Sequence, residues 1–205
     1  MLAAVGVVIA AVGIGAGALL AEDGGDDGGD KRQTVSATAP ASESASPSPS
    51  ADPAREQAVA LDKLLATSGD SRSTVIKSVA DVKACRNLPE ASRNLRDAAR
   101  QRSQLVTDLR ELSVDKLPRH TELTAALTKA WQASASADNH YAAWADEVAK
   151  KQRKMCKKGQ ARSTPQTQAG NRASGVASAQ KGKASQLWNA VAREYGLTER
   201  QPTQL

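Results

Sequence analysis

PRHTELTAALTKAWQASASADNHYAAWADEVAKKQRKMCKK, residues Pro118 to Lys158, is the stretch that decides the fold. Within it His120, Leu123, Leu127, Ala130, Ser134, Ala137, Tyr141, Trp144 and Val148 recur at alternating steps of three and four, which on an α-helix is one continuous stripe. Pro118 suits a first helical turn, where its missing N–H is no loss. Asp146/Lys150 and Glu147/Lys151 stand four apart with the acid first, the better order for helix pairs. The spacing predicts one long amphipathic helix running into a basic collar. The stripe is small in its middle, at Ala130, Ser134 and Ala137, which admits close approach of a second helix, and bulky lower down, at Tyr141 and Trp144.

Three more helices can be set against this one. Asp52-Pro53 offers an N-cap and a first-turn residue, after which Ala58, Leu61, Leu65, Ser68, Arg72, Val75, Val79 and Val82 follow the same alternation. The phase survives Ser68-Gly69-Asp70, so the spacing predicts one helix, kinked or locally broken at Gly69, that ends at Asn87-Leu88-Pro89. Pro89 and Glu90 open a second helix with the stripe Ala91, Leu95, Ala98, Arg102, Leu105, Leu109 and Leu112. A last helix runs from Pro165 to Tyr195, stopped by Gly196, with Leu197 placed to pack back. Gly170, Gly175 and Gly182 each cost this helix about 1 kcal/mol relative to Ala, so only its second half, with Ala184, Leu187, Trp188 and Val191, is expected to dock firmly. Residues 196–205 form a tail without a readable pattern. Phe is absent and Ala abundant, which favours closely packed helices over a β-sandwich. The expected fold is all-α: an up-down-up-down four-helix bundle over residues 53–195.

The N-terminal quarter has a different character. Leu2 to Ala21 is an uncharged run that spans roughly 30 Å as a helix, the hydrocarbon thickness of a bilayer. Ala16-Gly17-Ala18 resembles a signal-peptidase site, but no Lys or Arg precedes the run, and its length favours an uncleaved membrane anchor. Gly13 and Gly17 form a GxxxG pair, a weak pointer to a homodimer contact between anchors. Residues 22–52 have little to bury and read as a disordered tether, acidic and then rich in Ser, Ala and Pro. Its Asp/Gly run lacks the alternating ligands and terminal Glu of a calcium loop. The charge is divided as well: 22–52 hold 7 acids against 2 bases, whereas 53–205 hold 26 bases against 15 acids. The folded part is therefore the basic part and suits an anionic partner. Lys31 and Arg32 after the span would place the domain in the cytoplasm. A span that starts at residue 2 has no N-terminal flank to weigh against them, and the tether and cysteines argue for the extracytoplasmic side of the plasma membrane.

Helices joined by short connections alternate in direction, which brings Cys85 and Cys156 to one pole. No CxxC is present, and a structural disulfide closing this long loop is worth about 4 kcal/mol in the chain-entropy model. Such bonds persist outside the cytoplasm. Around Cys156 the collar gathers Lys150, Lys151, Arg153, Lys154, Lys157, Lys158 and Arg162, which would attract anionic lipid or an acidic wall polymer. The plainer alternative is a solvated helix C-terminus of favourable charge. Nucleic acid is disfavoured, because the aromatic residues of a single-strand binder are not interleaved with the bases.

No HExxH, GxSxG, Walker loop or di-iron Glu-x-x-His occurs, so no catalytic, cofactor-binding or metal-ligating residue is nominated. Asp138, His140 and Tyr141 lie close in sequence but point apart on a helix. Trp131, Trp144, Trp188 and Tyr141 are assigned to the core, with an aromatic-lined pocket as the rival. The function class these features imply is a membrane-tethered, non-enzymatic helical module of the cell envelope. The alternatives are a small-molecule-binding or enzymatic domain using the Trp/Tyr-lined interior, or a cytosolic adaptor if the topology is inverted.

The anchor, the acidic and then Ser/Pro-rich tether, and a domain ending in NRASGVASAQKGKASQLWNAVAREYGLTERQPTQL together resemble the membrane-anchored extracytoplasmic proteins of high-GC, streptomycete-like actinobacteria. That group has no assigned activity, and the resemblance implies location and layout alone.

Overall fold

The computed structural model describes residues 52–205; the anchor, the Gly13/Gly17 pair and the tether up to residue 51 lie outside the described residues. What is described is mostly helical and all-α: α1 (Pro53–Thr67), α2 (Arg72–Lys83), α3 (Leu88–Glu111), α4 (His120–Lys150), the short α5 (Gln152–Met155), and α6 (Pro165–Tyr195). A two-stranded ribbon, β1 (Cys156–Lys157) with β2 (Gln160–Ala161), lies between α5 and α6, and a 3-10 turn (Pro202–Gln204) follows α6. Among the described residues no helix is long and apolar enough to cross a membrane.

α4 is the central element and packs along both α3 and α6. Its partners run the other way: Asp146 meets Ser92 and Asp138 meets Arg102 on α3, while Tyr141 meets Asn171 and Glu122 meets Lys183 on α6. The expected stripe is the buried face, with Leu123, Leu127, Ala130, Ser134, Ala137, Trp144 and Val148 all buried. On α3 the expected stripe from Ala91 to Leu109 is likewise buried, Arg102 included.

The central helix is shorter than its pattern suggests. It ends at Lys150, not Lys158, and the collar folds into α5 and an antiparallel ribbon. Lys158 and Gly159 both take positive φ (53° and 73°), the pair of left-handed residues that closes a two-residue hairpin whose twist matches its strands. The ribbon is tied down by the Cys85–Cys156 disulfide and by Trp144, whose indole N–H donates to the Arg162 carbonyl at 2.9 Å. Neither Asp146/Lys150 nor Glu147/Lys151 forms an ion pair. Asp146 turns instead to Arg96 and Ser92 across the α3 interface, where a partly shielded hydrogen-bonded contact outweighs an exposed i,i+4 pair.

The first helix is locally broken, as one branch of the phase argument allowed. Thr67 and Ser68 spend their hydroxyls on the carbonyls of Leu64 and Leu65, and Ser68 Oγ also reaches the Gln204 carbonyl at 2.9 Å. The chain end thus lies across the break. Gly69 permits this approach, since a Cβ there would stand 3.3 Å from the Gln204 oxygen. Residues 196–205, patternless in sequence, close one end of the core. Gly196 stops α6 in the left-handed region, Leu197 N–H returns to the Ala192 carbonyl at 2.8 Å, and Leu205 is fully buried. Arg200 bonds Asp62 Oδ1 at 2.6 Å, while Trp188 donates to the Thr198 carbonyl at 2.9 Å.

The expectation that only the second half of α6 docks is corrected. Thr167, Gly170 and Ala177 in its first half are buried too. Gly170 lies under the Tyr141 ring, where a Cβ would stand 2.7 Å from Cε1, so the glycine that weakens the isolated helix is what lets it reach α4.

Candidate functional site

The apolar core is in two pieces. One cluster gathers Leu61, Leu65, Leu105, Leu109, Leu127, Trp131, Trp188, Val191 and Leu205; the other gathers Val82, Leu88, Ala91, Trp144, Ala145 and Val148. On α3 and α4 the levels between them carry Arg102, Ser134 and Asp138. A charged layer interrupts the core there, and it opens into a cleft of ≈ 390 Å³ between α2, α3, α4, α6 and the 3-10 turn.

Arg102 and Asp138 form the floor. Their side chains are 8% and 4% exposed, and Arg102 Nε lies 3.2 Å from Asp138 Oδ2. The approach is off-line, so Oδ2 accepts no hydrogen bond despite its burial. Arg102 is itself positioned from two sides, its Nη1 donating to Ser71 Oγ at 2.7 Å and to the Ala98 carbonyl at 3.3 Å. Lys181 of α6 comes from the opposite wall, half-buried, and forms no ion pair within 4 Å among the described residues. Arg72 stands at the rim. The remaining lining is apolar or hydroxylic: Val75, Ile76, Ala137, Ala177 and the Tyr141 ring, with Ser134, Ser174 and Ser178. Ile76 is 56% exposed, a large apolar side chain left in solvent beside the opening.

These groups titrate away from their ordinary values. Burial raises Asp138 to about 6, against the pull of Arg102 and Lys181. Burial also lowers Lys181 to about 8, and Arg102 and Arg72 beside it push the same way. Arg102 is lowered by its burial despite Asp138. At neutral pH the cleft therefore holds three cations and one anion.

The nominated residues lie elsewhere. Cys85 and Cys156 are disulfide-bonded at the pole where topology placed them. Lys150, Lys151, Arg153, Lys154, Lys157, Lys158 and Arg162 are all exposed, and none forms an ion pair within 4 Å among the described residues. The three Trp are fully buried in the two apolar clusters, so no Trp-lined pocket exists among the described residues. His140 and His120 are taken up locally, by Gln166 Oε1 at 2.7 Å and the Leu117 carbonyl at 3.2 Å. Asp138 and Tyr141 do share the cleft, one turn apart, whereas His140 points away from it. No group of three or more His, Cys, Asp or Glu able to hold a metal occurs among the described residues.

Sequence reasoning missed the cleft, although a signal was present. Arg72 and Arg102 occupy stripe positions otherwise held by Ala, Leu, Val and Ser, and a charge on a core stripe requires a buried partner or a cavity. No family model, curated protein or solved structure matches the chain.

Proposed function

We propose that this protein is a membrane-tethered, non-enzymatic module of the cell envelope, carried outside the cytoplasm on an N-terminal anchor and presenting its basic pole to an anionic lipid surface or wall polymer. The observation that carries this reading is the pole itself: seven exposed cations running from the end of α4 through α5 and the disulfide-tied ribbon to Arg162, none of them in an ion pair among the described residues. Folding this segment back at α5 and the cross-linked ribbon keeps the charges together, and a cluster of that sign attracts anionic surfaces. The disulfide supports an oxidising compartment, and with it the extracytoplasmic location.

The collar's attraction is electrostatic and broad in specificity, because lysines on flexible stems act as point charges. Retention of residues 53–205 on anionic vesicles or wall polymer should fall steeply with salt, as the Debye length shrinks from about 10 Å at 0.1 M to about 3 Å at 1 M. Replacing Lys150, Lys151, Lys154, Lys157 and Lys158 by Gln should abolish retention. Equal retention of that variant would sink the reading. A reporter fused after Leu205 tests the compartment: activity only on the cytoplasmic side favours the anchored cytosolic adaptor instead.

A further inference from the structure

We propose that the cleft floored by Arg102 and Asp138 binds a small organic oxyanion, a carboxylate or phosphate with an apolar body. This site is separate from the basic pole and is built from a different set of residues.

The fold leaves two charged groups of this cleft poorly satisfied. A carboxylate as buried as Asp138 is ordinarily surrounded by donors, since each missing hydrogen bond to a desolvated charge is costly. Here Oδ2 has none, although Asp138 is one of the residues that line the cleft. The lysine across from it is also without an ion-pair partner among the described residues, although Lys181 is half-buried and its ordinary partner would be an acid. Arg72, Arg102 and Lys181 against Asp138 leave an excess of two positive charges facing one space. A structural network would bring in a second acid or exclude the lysine. An oxyanion seated against Lys181 and Arg72 supplies the missing negative charge.

The walls define the rest of the ligand. Val75, Ile76, Ala137, Ala177 and the Tyr141 ring form an apolar side, and Ile76 is more exposed than a residue of its size normally is in a packed helix pair. At ≈ 390 Å³ the cleft lies at the small end of the range for ligand sites. Apolar lining with a few convergent polar groups is the usual composition of such a site. The low pKa of Lys181 and the raised one of Asp138 agree with two charges held in poorly solvated positions, but the geometry stands without them.

The test uses the full chain in nanodiscs of zwitterionic lipid, with mandelate and phenyl phosphate as probes and inorganic phosphate and benzyl alcohol as their separate halves. The chain has few isoleucines, and those other than Ile76 fall in the N-terminal apolar run, so the Ile76 methyl resonance, assigned with Ile76→Val, reports directly on the cleft. Mandelate or phenyl phosphate should shift it saturably with a Kd of about 1 mM or tighter, each half binding at least about tenfold more weakly. Lys181→Met should weaken binding about tenfold or more, and Ser178→Phe, a surface change that fills the mouth, should abolish it with the helical signal intact. The collar variant with five Gln should bind as the parent does, which keeps this result independent of the basic pole. No saturable shift with either probe, undiminished binding by Lys181→Met, or inorganic phosphate binding as tightly as phenyl phosphate would each overturn the proposal.

Discussion

Arg102 Nε and Asp138 Oδ2 lie 3.2 Å apart with both side chains buried, yet the carboxylate oxygen accepts no hydrogen bond. A pair in that state contributes little, because the desolvation of both ions is not repaid by good geometry. The polar layer is therefore expected to cost stability at neutral pH, and its energetics can be read by titration.

Asp138 titrates near 6 in the fold against an ordinary 3.8. Between these values the folded state holds a proton the unfolded state has lost, so this group stabilises the fold fully below about pH 4, and that contribution fades as pH rises through 6. About two units correspond to roughly 3 kcal/mol. The groups facing Asp138 are Arg102 from α3, Arg72 from α2, Lys181 from α6 and Tyr141 from its own helix; Lys181, lowered to about 8, stays mostly charged over this window, and Tyr141, raised by burial, stays neutral. Urea denaturation of the parent and of Asp138→Asn from pH 4 to 7 should show the parent losing stability relative to the variant as pH rises. Parallel curves would contradict the buried, poorly bonded carboxylate.

Lys181 moves the other way, to about 8 from 10.5. Below pH 8 the fold carries its charge in a desolvated place, and between 8 and 10.5 the folded state binds fewer protons, so stability contributed by this group rises with pH. Lys181→Met should accordingly stabilise the domain at pH 7 by roughly 1–2 kcal/mol, discounted for the partial exposure of the side chain, and lose that advantage by about pH 10.5. Thermal melts at pH 7 and pH 10 check it. A destabilised variant at pH 7 would mean that the ammonium has a structural partner.

Gly170 and Gly175 share a helix but not an environment. Helix propensity alone gives about 1 kcal/mol for each Gly→Ala change. Gly175→Ala should realise most of it, since nothing lies within 4 Å of the new Cβ, whereas Gly170→Ala drives a methyl to 2.7 Å from the Tyr141 ring and should destabilise by about 1–3 kcal/mol. Opposite signs in chemical denaturation are the expected result.

Replacing Cys85 and Cys156 together by Ser should lower stability by about 2–4 kcal/mol. It should also release the ribbon, because the disulfide is its covalent tie to the end of α2. Hydrogen exchange at Cys156–Ala161 should accelerate more than in α4. Uniform acceleration would indicate that the bond acts on the unfolded chain alone.

The all-α class was legible because period is a local property. The stripes of α3 and α4, the cap at Asp52-Pro53 and the stop at Gly196 each depend on residues within a few turns, and each is found where the spacing put it. The Cys85–Cys156 pairing followed from alternation of direction alone. Tertiary contact decided the rest. Gly170 reads as a flaw in α6 until the Tyr141 ring is seen above it, and the collar reads as helix until the disulfide and Trp144 hold it back as a ribbon. Residues 196–205 have no period because they bind through individual hydrogen bonds and the single side chain of Leu205. Arg72 and Arg102 on the core stripes pointed to a buried partner or a cavity, but which groups would meet was not legible: Arg72, Arg102, Asp138 and Lys181 come from four different helices, and no spacing along a chain records which faces will meet across a core.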